Sequence, residues 1–200
     1  MKQFQILALL SALGLGSVAS AAGFQNGSFE TGTAPGAFTE LAAGNGSITG
    51  WTIGGHSVDY IGSYWQASNG ERSIDLSGGA AGSLAQSFDT LIGQTYTVTF
   101  DMAGNPDNGS LKSMTVSAAA DSANYSFDST VTSKPNMGWS TKSFQFTANS
   151  TTSTLMFASN ENSAYGTALD NVSVQAVPEP ATMAALGLGA LGVLRRRNRK

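Results

Sequence analysis

Between residues 94 and 102 apolar and polar side chains alternate. Tyr96, Val98, Phe100 and Met102 fall on one side, Thr95, Thr97, Thr99 and Asp101 on the other. A period of two marks a half-buried strand, because successive strand side chains point to opposite faces. The same spacing joins Met114 to Val116 within 112–118 and Phe144 to Phe146 within 143–147. Further strands are predicted over 50–53, 57–61, 72–76, 83–88, 124–127, 152–159 and 168–174. Turn-forming clusters separate them, notably Asn105-Pro106-Asp107-Asn108-Gly109 and Ser77-Gly78-Gly79. About ten short strands of this kind imply an all-β fold, an antiparallel β-sandwich of two facing sheets. Residues 23–176 form its single domain, with no internal repeat and with Trp51 assigned to the core.

Both ends of the chain break this pattern. Lys2 precedes an apolar stretch over 6–15 and then Ser17-Val18-Ala19-Ser20-Ala21, the layout of a secretory signal peptide cut near residue 22. Residues 177–200 run Val177-Pro178-Glu179-Pro180, an uncharged apolar segment over 181–194, then Arg195-Arg196-Arg197-Asn198-Arg199-Lys200. Fourteen helical residues rise only about 21 Å, against a hydrocarbon core of roughly 30 Å. Such a helix can enter a membrane but is a poor permanent span, and its basic end should stay cytoplasmic. The fold expected is therefore a sandwich flanked by an N-terminal signal helix and a C-terminal hydrophobic helix. The Pro178-Glu179-Pro180 motif, apolar helix and Arg195–Arg197 cluster resemble the PEP-CTERM sorting signal of Gram-negative, exopolysaccharide-producing bacteria. That resemblance implies recognition and removal of the tail by an exosortase and transient membrane association before cleavage. The destination it implies is the cell surface or extracellular matrix of such a bacterium. Gly187-Leu188-Gly189-Ala190-Leu191-Gly192 matches a dinucleotide-binding pattern, but without a preceding strand it carries no such meaning.

Charge narrows the partners. Residues 23–176 hold four bases against twelve acids, a net charge of −8, which disfavours nucleic acid. There is no cysteine, which excludes disulfides and thiolate chemistry. Glycine, at 24 of 200 residues, exceeds its usual share of about 7% and suits a turn-rich β protein.

A second resemblance covers residues 23–175. Asn26-Gly27-Ser28-Phe29-Glu30-Thr31-Gly32, Gly50-Trp51 and Leu169-Asp170-Asn171-Val172 are similar to the ends of galactose-binding-like jelly rolls, the fold of many carbohydrate-binding modules. Ser57-Val58-Asp59-Tyr60-Ile61-Gly62, Trp65-Gln66-Ala67-Ser68-Asn69-Gly70, Ser73-Ile74-Asp75-Leu76 and Phe100-Asp101-Met102-Ala103-Gly104-Asn105 resemble the bacterial choice-of-anchor C domain, itself similar to a plant cell-wall protein family. The jelly-roll resemblance implies a structural Ca2+ tying the first strand to the last, with Glu30 and Asp170 as ligands and carbonyls near Thr31 and Gly32 completing the set. The alternative is that Glu30 and Asp170 only hydrogen-bond at a sandwich edge. Asp75 is a weaker metal candidate.

Sugars stack on flat side chains, so the aromatic group Tyr60, Tyr64 and Trp65 in a glycine-rich stretch is a candidate platform, with Trp139 as a second loop aromatic. The alternative is that these rings seal the sandwich. Catalysis has less support. His56 is the one histidine, and Ser57 beside it is expected to point to the opposite face. Carboxylate pairs for glycoside hydrolysis can be drawn from Asp59, Glu71, Asp75 and Asp101, but no pair stands out. Two function classes remain: a non-catalytic polysaccharide-binding module, and a structural or adhesive matrix protein.

Overall fold

The computed structural model describes Ala21 and residues 23–178. The predicted signal helix, most of the sorting motif, the apolar segment over 181–194 and the arginine cluster lie outside these residues. Eleven strands follow in order: β1 (Phe38–Ala42), β2 (Thr52–Gly55), β3 (Ser57–Ile61), β4 (Ser73–Asp75), β5 (Gly82–Asp89), β6 (Thr95–Gly104), β7 (Leu111–Ala118), β8 (Asp121–Asp128), β9 (Ser140–Thr147), β10 (Thr152–Ser159) and β11 (Thr167–Ala176). The helical content of the described residues is a 3-10 turn over Pro106–Asn108, and no helix among them is long and apolar enough to cross a membrane.

One sheet has the order β1-β3-β4-β11-β6-β9 and the other β2-β5-β10-β7-β8. Each pairing is antiparallel. The alternation read from β6 holds: Tyr96, Val98, Phe100 and Met102 are buried between the sheets with Trp51, Met114, Val116, Phe144, Phe146 and Phe157. Each predicted strand overlaps an observed one. β1, which the periodicity did not show, is an edge strand in which only Leu41 is buried, so its sequence carries no apolar alternation.

A bulge in β11 shifts its register against β6 between Asp170 and Ser173. Asn171 takes a left-handed backbone (φ 50), a conformation asparagine tolerates better than most residues. The extra residue lets both Leu169 and Val172 face the core while Asp170 stays on the outer face opposite Asp101.

Candidate functional site

The outer face of the six-stranded sheet is unusually acidic. Register places Glu40 opposite Asp59 and Asp59 opposite Asp75 across β1, β3 and β4, and Asp170 opposite Asp101 across β11 and β6. Residues directly opposite share a face, so these five carboxylates lie on one surface. Aspartate is depleted in strands, and four strand aspartates at outward positions were the sequence signal of this site.

Four of the five hold down covering loops. Asp170 Oδ2 accepts from the N–H groups of Ser68 and Asn69, each at 2.8 Å, and its Oδ1 from Asn171 at 2.6 Å. Burial pushes Asp170 up to about 7 despite these donors. Asp101 accepts from Ser68 Oγ, Thr141 Oγ1 and Asn171 Nδ2. It is desolvated too, but these bonds together bring it below the ordinary range. Asp75, fully buried, accepts from Ser77 and Gly166 N–H at Oδ1 and from Asn105 Nδ2 at Oδ2. Burial raises it to about 8. Glu40 Oε1 accepts from Ser57 Oγ at 2.7 Å and from Gly79 N–H at 3.0 Å.

Asp59 is the exception. Burial, then repulsion from Glu40, raises it to about 6, and no hydrogen bond from a described residue offsets this. Its carboxylate lines a cleft of about 300 Å³. The floor of the cleft is Phe38 and Glu40 of β1 with Asp59 and Ile61 of β3. One wall is Tyr64 and Trp65, and another is the Gly78-Gly79 turn. Asn105, Asp107, Ala164 and Tyr165 complete the lining. Phe38 is 46% exposed and Tyr165 40%. Phe38 and Tyr64 have ring centroids 4.9 Å apart. Tyr64 donates to Asp107 and carries Lys134 Nζ 3.8 Å over its ring. Lys134 also pairs with Asp107 at 3.2 Å, leaving Glu40 and Asp59 as the unbalanced charges of the cleft.

The expected platform of exposed rings is corrected by this geometry. Tyr60 takes an inward position of β3 and is fully buried, its hydroxyl donating to Phe29 O and accepting from Arg72 Nη1. Trp65 is buried against Ile61, Ala103, Met137 and Ala168, with its indole N–H on Ser73 Oγ. Trp139 is half-buried, donates to Gln66 O and packs on the same cluster without being one of the residues that line the cleft. Of the four aromatics singled out, Tyr64 alone combines partial exposure with a place in the cleft wall. Phe38 and Tyr165 were missed because each stands alone in a segment without aromatic neighbours.

The positions expected to hold Ca2+ carry hydrogen-bond donors on most of their oxygens. Glu30 Oε1 accepts from the N–H groups of Glu71 and Arg72, both at 2.8 Å. Thr31 O accepts from Thr49 N–H and Asn26 Nδ2, and Gly32 O accepts from the Arg72 guanidinium at 3.2 Å. Calcium needs six to eight oxygens around one point. In this fold N–H donors engage Glu30 Oε1, both carboxylate oxygens of Asp170 and the carbonyls of Thr31 and Gly32. No group of three or more metal-binding side chains occurs among the described residues. Amides of the 68–72 segment tie this loop to Glu30 and Asp170. Gly70 permits this, with φ 70 and no side chain to collide with Glu30.

His56 also departs from expectation. It lies at a bend before β3, outside the strand, so its Nδ1 reaches Ser57 Oγ at 2.9 Å. The serine proton goes to Glu40 and its oxygen also accepts from Gly79 N–H at 2.8 Å. A hydroxyl has one proton, so His56 is the donor in this pair. Ser57 is buried and fully engaged, an arrangement that fastens the 77–79 turn and does not activate a nucleophile.

Comparison with known proteins places this geometry in a family. Halomucin of Haloquadratum walsbyi is 33% identical over 168 residues, which are 80% of this chain and 2% of halomucin. Among solved structures, TmCBM61 in complex with beta-1,4-galactotriose is 13% identical with a TM-score of 0.48, covering 78% of this chain and 98% of that one. A family 35 carbohydrate binding module from Clostridium thermocellum is 11% identical with a TM-score of 0.48, covering 68% and 97%. Residues 176–200 match the PEP-CTERM protein-sorting motif, which marks an exported protein recognised by an exosortase and sorted to the cell surface. Residues 22–175, the whole sandwich, match the family described as protein of unknown function DUF642, and the chain belongs to that family.

Proposed function

We propose that this exported protein is a non-catalytic polysaccharide-binding module whose site is the Asp59 cleft. The observation that carries the reading is the Asp59 carboxylate: partly desolvated, without a hydrogen-bond partner among the described residues, and lining one cleft with Phe38, Tyr64 and Tyr165. A half-buried charge without partners is costly, and the hydroxyl groups of a sugar supply the missing donors. The exposed rings of Phe38 and Tyr165 offer surface to its C–H groups. Among the described residues no basic side chain lines the cleft, and Lys134 beside it is paired with Asp107, so neutral or amino-bearing polymers suit it and uronic acid polymers are repelled. Asp75, one of the two register neighbours of Asp59, is buried with both oxygens committed and adds no free carboxylate to the cleft. Delivery to the cell surface puts the cleft among the cell's own exopolysaccharides. Before processing, the apolar segment over 181–194 would hold the chain at the membrane.

The test is titration of the protein against a panel of neutral, amino-bearing and uronic polysaccharides. Saturable binding to one of the first two groups that is lost in Asp59→Asn and Tyr165→Ala supports the reading. Absence of binding across the panel would turn it towards a structural or adhesive matrix protein. Binding that survives both substitutions would move the site elsewhere.

A further inference from the structure

The end of the sandwich remote from the cleft has its own chemistry. The β5–β6 loop exposes two adjacent apolar side chains, Leu91 at 70% and Ile92 at 68%. Nothing in the cleft reading uses them. The loop stands where the chain leaves the sheet towards its sorting motif. Gln94 Nε2 donates to Val177 O, and Val177 N–H donates to Thr95 O at 2.9 Å. The other end of the domain emerges there too, since Ala21 N–H donates to Val174 O. β6 runs from Thr95 at this end to Gly104, next to the cleft residue Asn105. At about 3.3 Å per residue the two ends are roughly 30 Å apart.

Chain length fixes where this end can be. From Val177, held in the sheet, to Ala181, the first residue of the apolar segment, there are four steps through Pro178-Glu179-Pro180. Fully extended they span at most about 14 Å. The interfacial layer between hydrocarbon and water is itself about 5–8 Å deep on each side. A chain whose apolar segment lies in the bilayer therefore holds this end of the domain against the headgroups. The charged groups on the neighbouring strand ends are Asp89, at the end of β5, and Asp121, which accepts from Thr147 N–H. With acids and no base among the described residues at this end, the contact is apolar and does not depend on anionic lipid.

We propose that the Leu91–Ile92 tip is a bilayer-contact site that rests in the interfacial layer while the sorting segment is in the membrane, directing the cleft away from the surface. This rests on the reading of residues 181–194 as membrane-inserted, and the experiment separates the two. The chain has no cysteine, so Ile92→Cys and Val131→Cys each give one labelling site. Val131, 90% exposed, follows β8 at the cleft end and serves as the control.

The full chain, labelled with an environment-sensitive fluorophore, is reconstituted in phosphatidylcholine vesicles carrying nitroxide lipid and floated on a density gradient. The expected result is co-flotation, with a blue-shifted emission at position 92 quenched severalfold more than at 131. Co-flotation with both positions equally water-exposed, or equally quenched, overturns the inference and leaves the membrane reading standing. A chain that fails to float removes the membrane reading, and the inference with it.

Discussion

Replacing Asp170 by alanine tests whether backbone amides or a metal ion hold the loop over the outer face. In the structure the side chain accepts three N–H groups, from Ser68, Asn69 and Asn171. Each such bond contributes about 1 kcal/mol net, so Asp170→Ala should cost about 3 kcal/mol. In a domain of this size that lowers Tm by roughly 6–12 °C. Asp170→Asn keeps one acceptor for Ser68 and Asn69 but sets an amide N–H against that of Asn171. Because the folded carboxyl titrates near 7 against 3.8 for the free group, the loss in this variant should show at about pH 4–5, be smaller than that of Asp170→Ala, and be offset as pH rises through 7. The assay is urea denaturation of wild type and both variants, with and without a calcium chelator. Amide latching predicts losses in the order Ala, then Asn, and curves indifferent to the chelator. If chelation destabilises wild type and abolishes its difference from Asp170→Ala, an ion does the tying and amide latching is refuted.

Asp59→Asn should raise stability at pH 8. The folded carboxyl titrates near 6 against 3.8 for the free group, so the native state holds its proton more tightly than the unfolded chain. Stability is therefore fully kept below about pH 4 and falls as pH rises through 6; the substitution should recover about 1–2 kcal/mol at pH 8 after solvent screening is allowed for. Melting curves at pH 4 and 8 check this, and a gain of equal size at both would contradict it. Trp65→Ala empties a buried position and should cost about 3–5 kcal/mol, so loss of ligand in that variant reports on folding, which circular dichroism will show. Tyr165→Ala, at an exposed rim, should leave the melt within about 0.5 kcal/mol while weakening polysaccharide binding about tenfold or more, read by calorimetry. Equal affinities would remove Tyr165 from the site.

Sequence alone determined the parts of this protein whose physics is local. Side chains on a strand point alternately to two faces whatever the strand pairs with, so Tyr96 to Met102 announced both the strand and its buried side. The Pro178-Glu179-Pro180 motif with its apolar run and arginines is likewise read in order along the chain. What tertiary structure decided depends on neighbours in space. Strand order brought Glu40 beside Asp59 and Asp59 beside Asp75, although these residues are far apart in the chain. Loops then satisfied every carboxylate on that face except Asp59, which no property of residue 59 could reveal. Tyr60 and Trp65, two of the stretch's three aromatics, became core because one faces inward on β3 and the other packs against Ile61, Ala103, Met137 and Ala168, brought together from distant segments. β1 stayed hidden because an edge strand with one buried residue leaves no apolar period to read, and yet it supplies half the floor of the cleft.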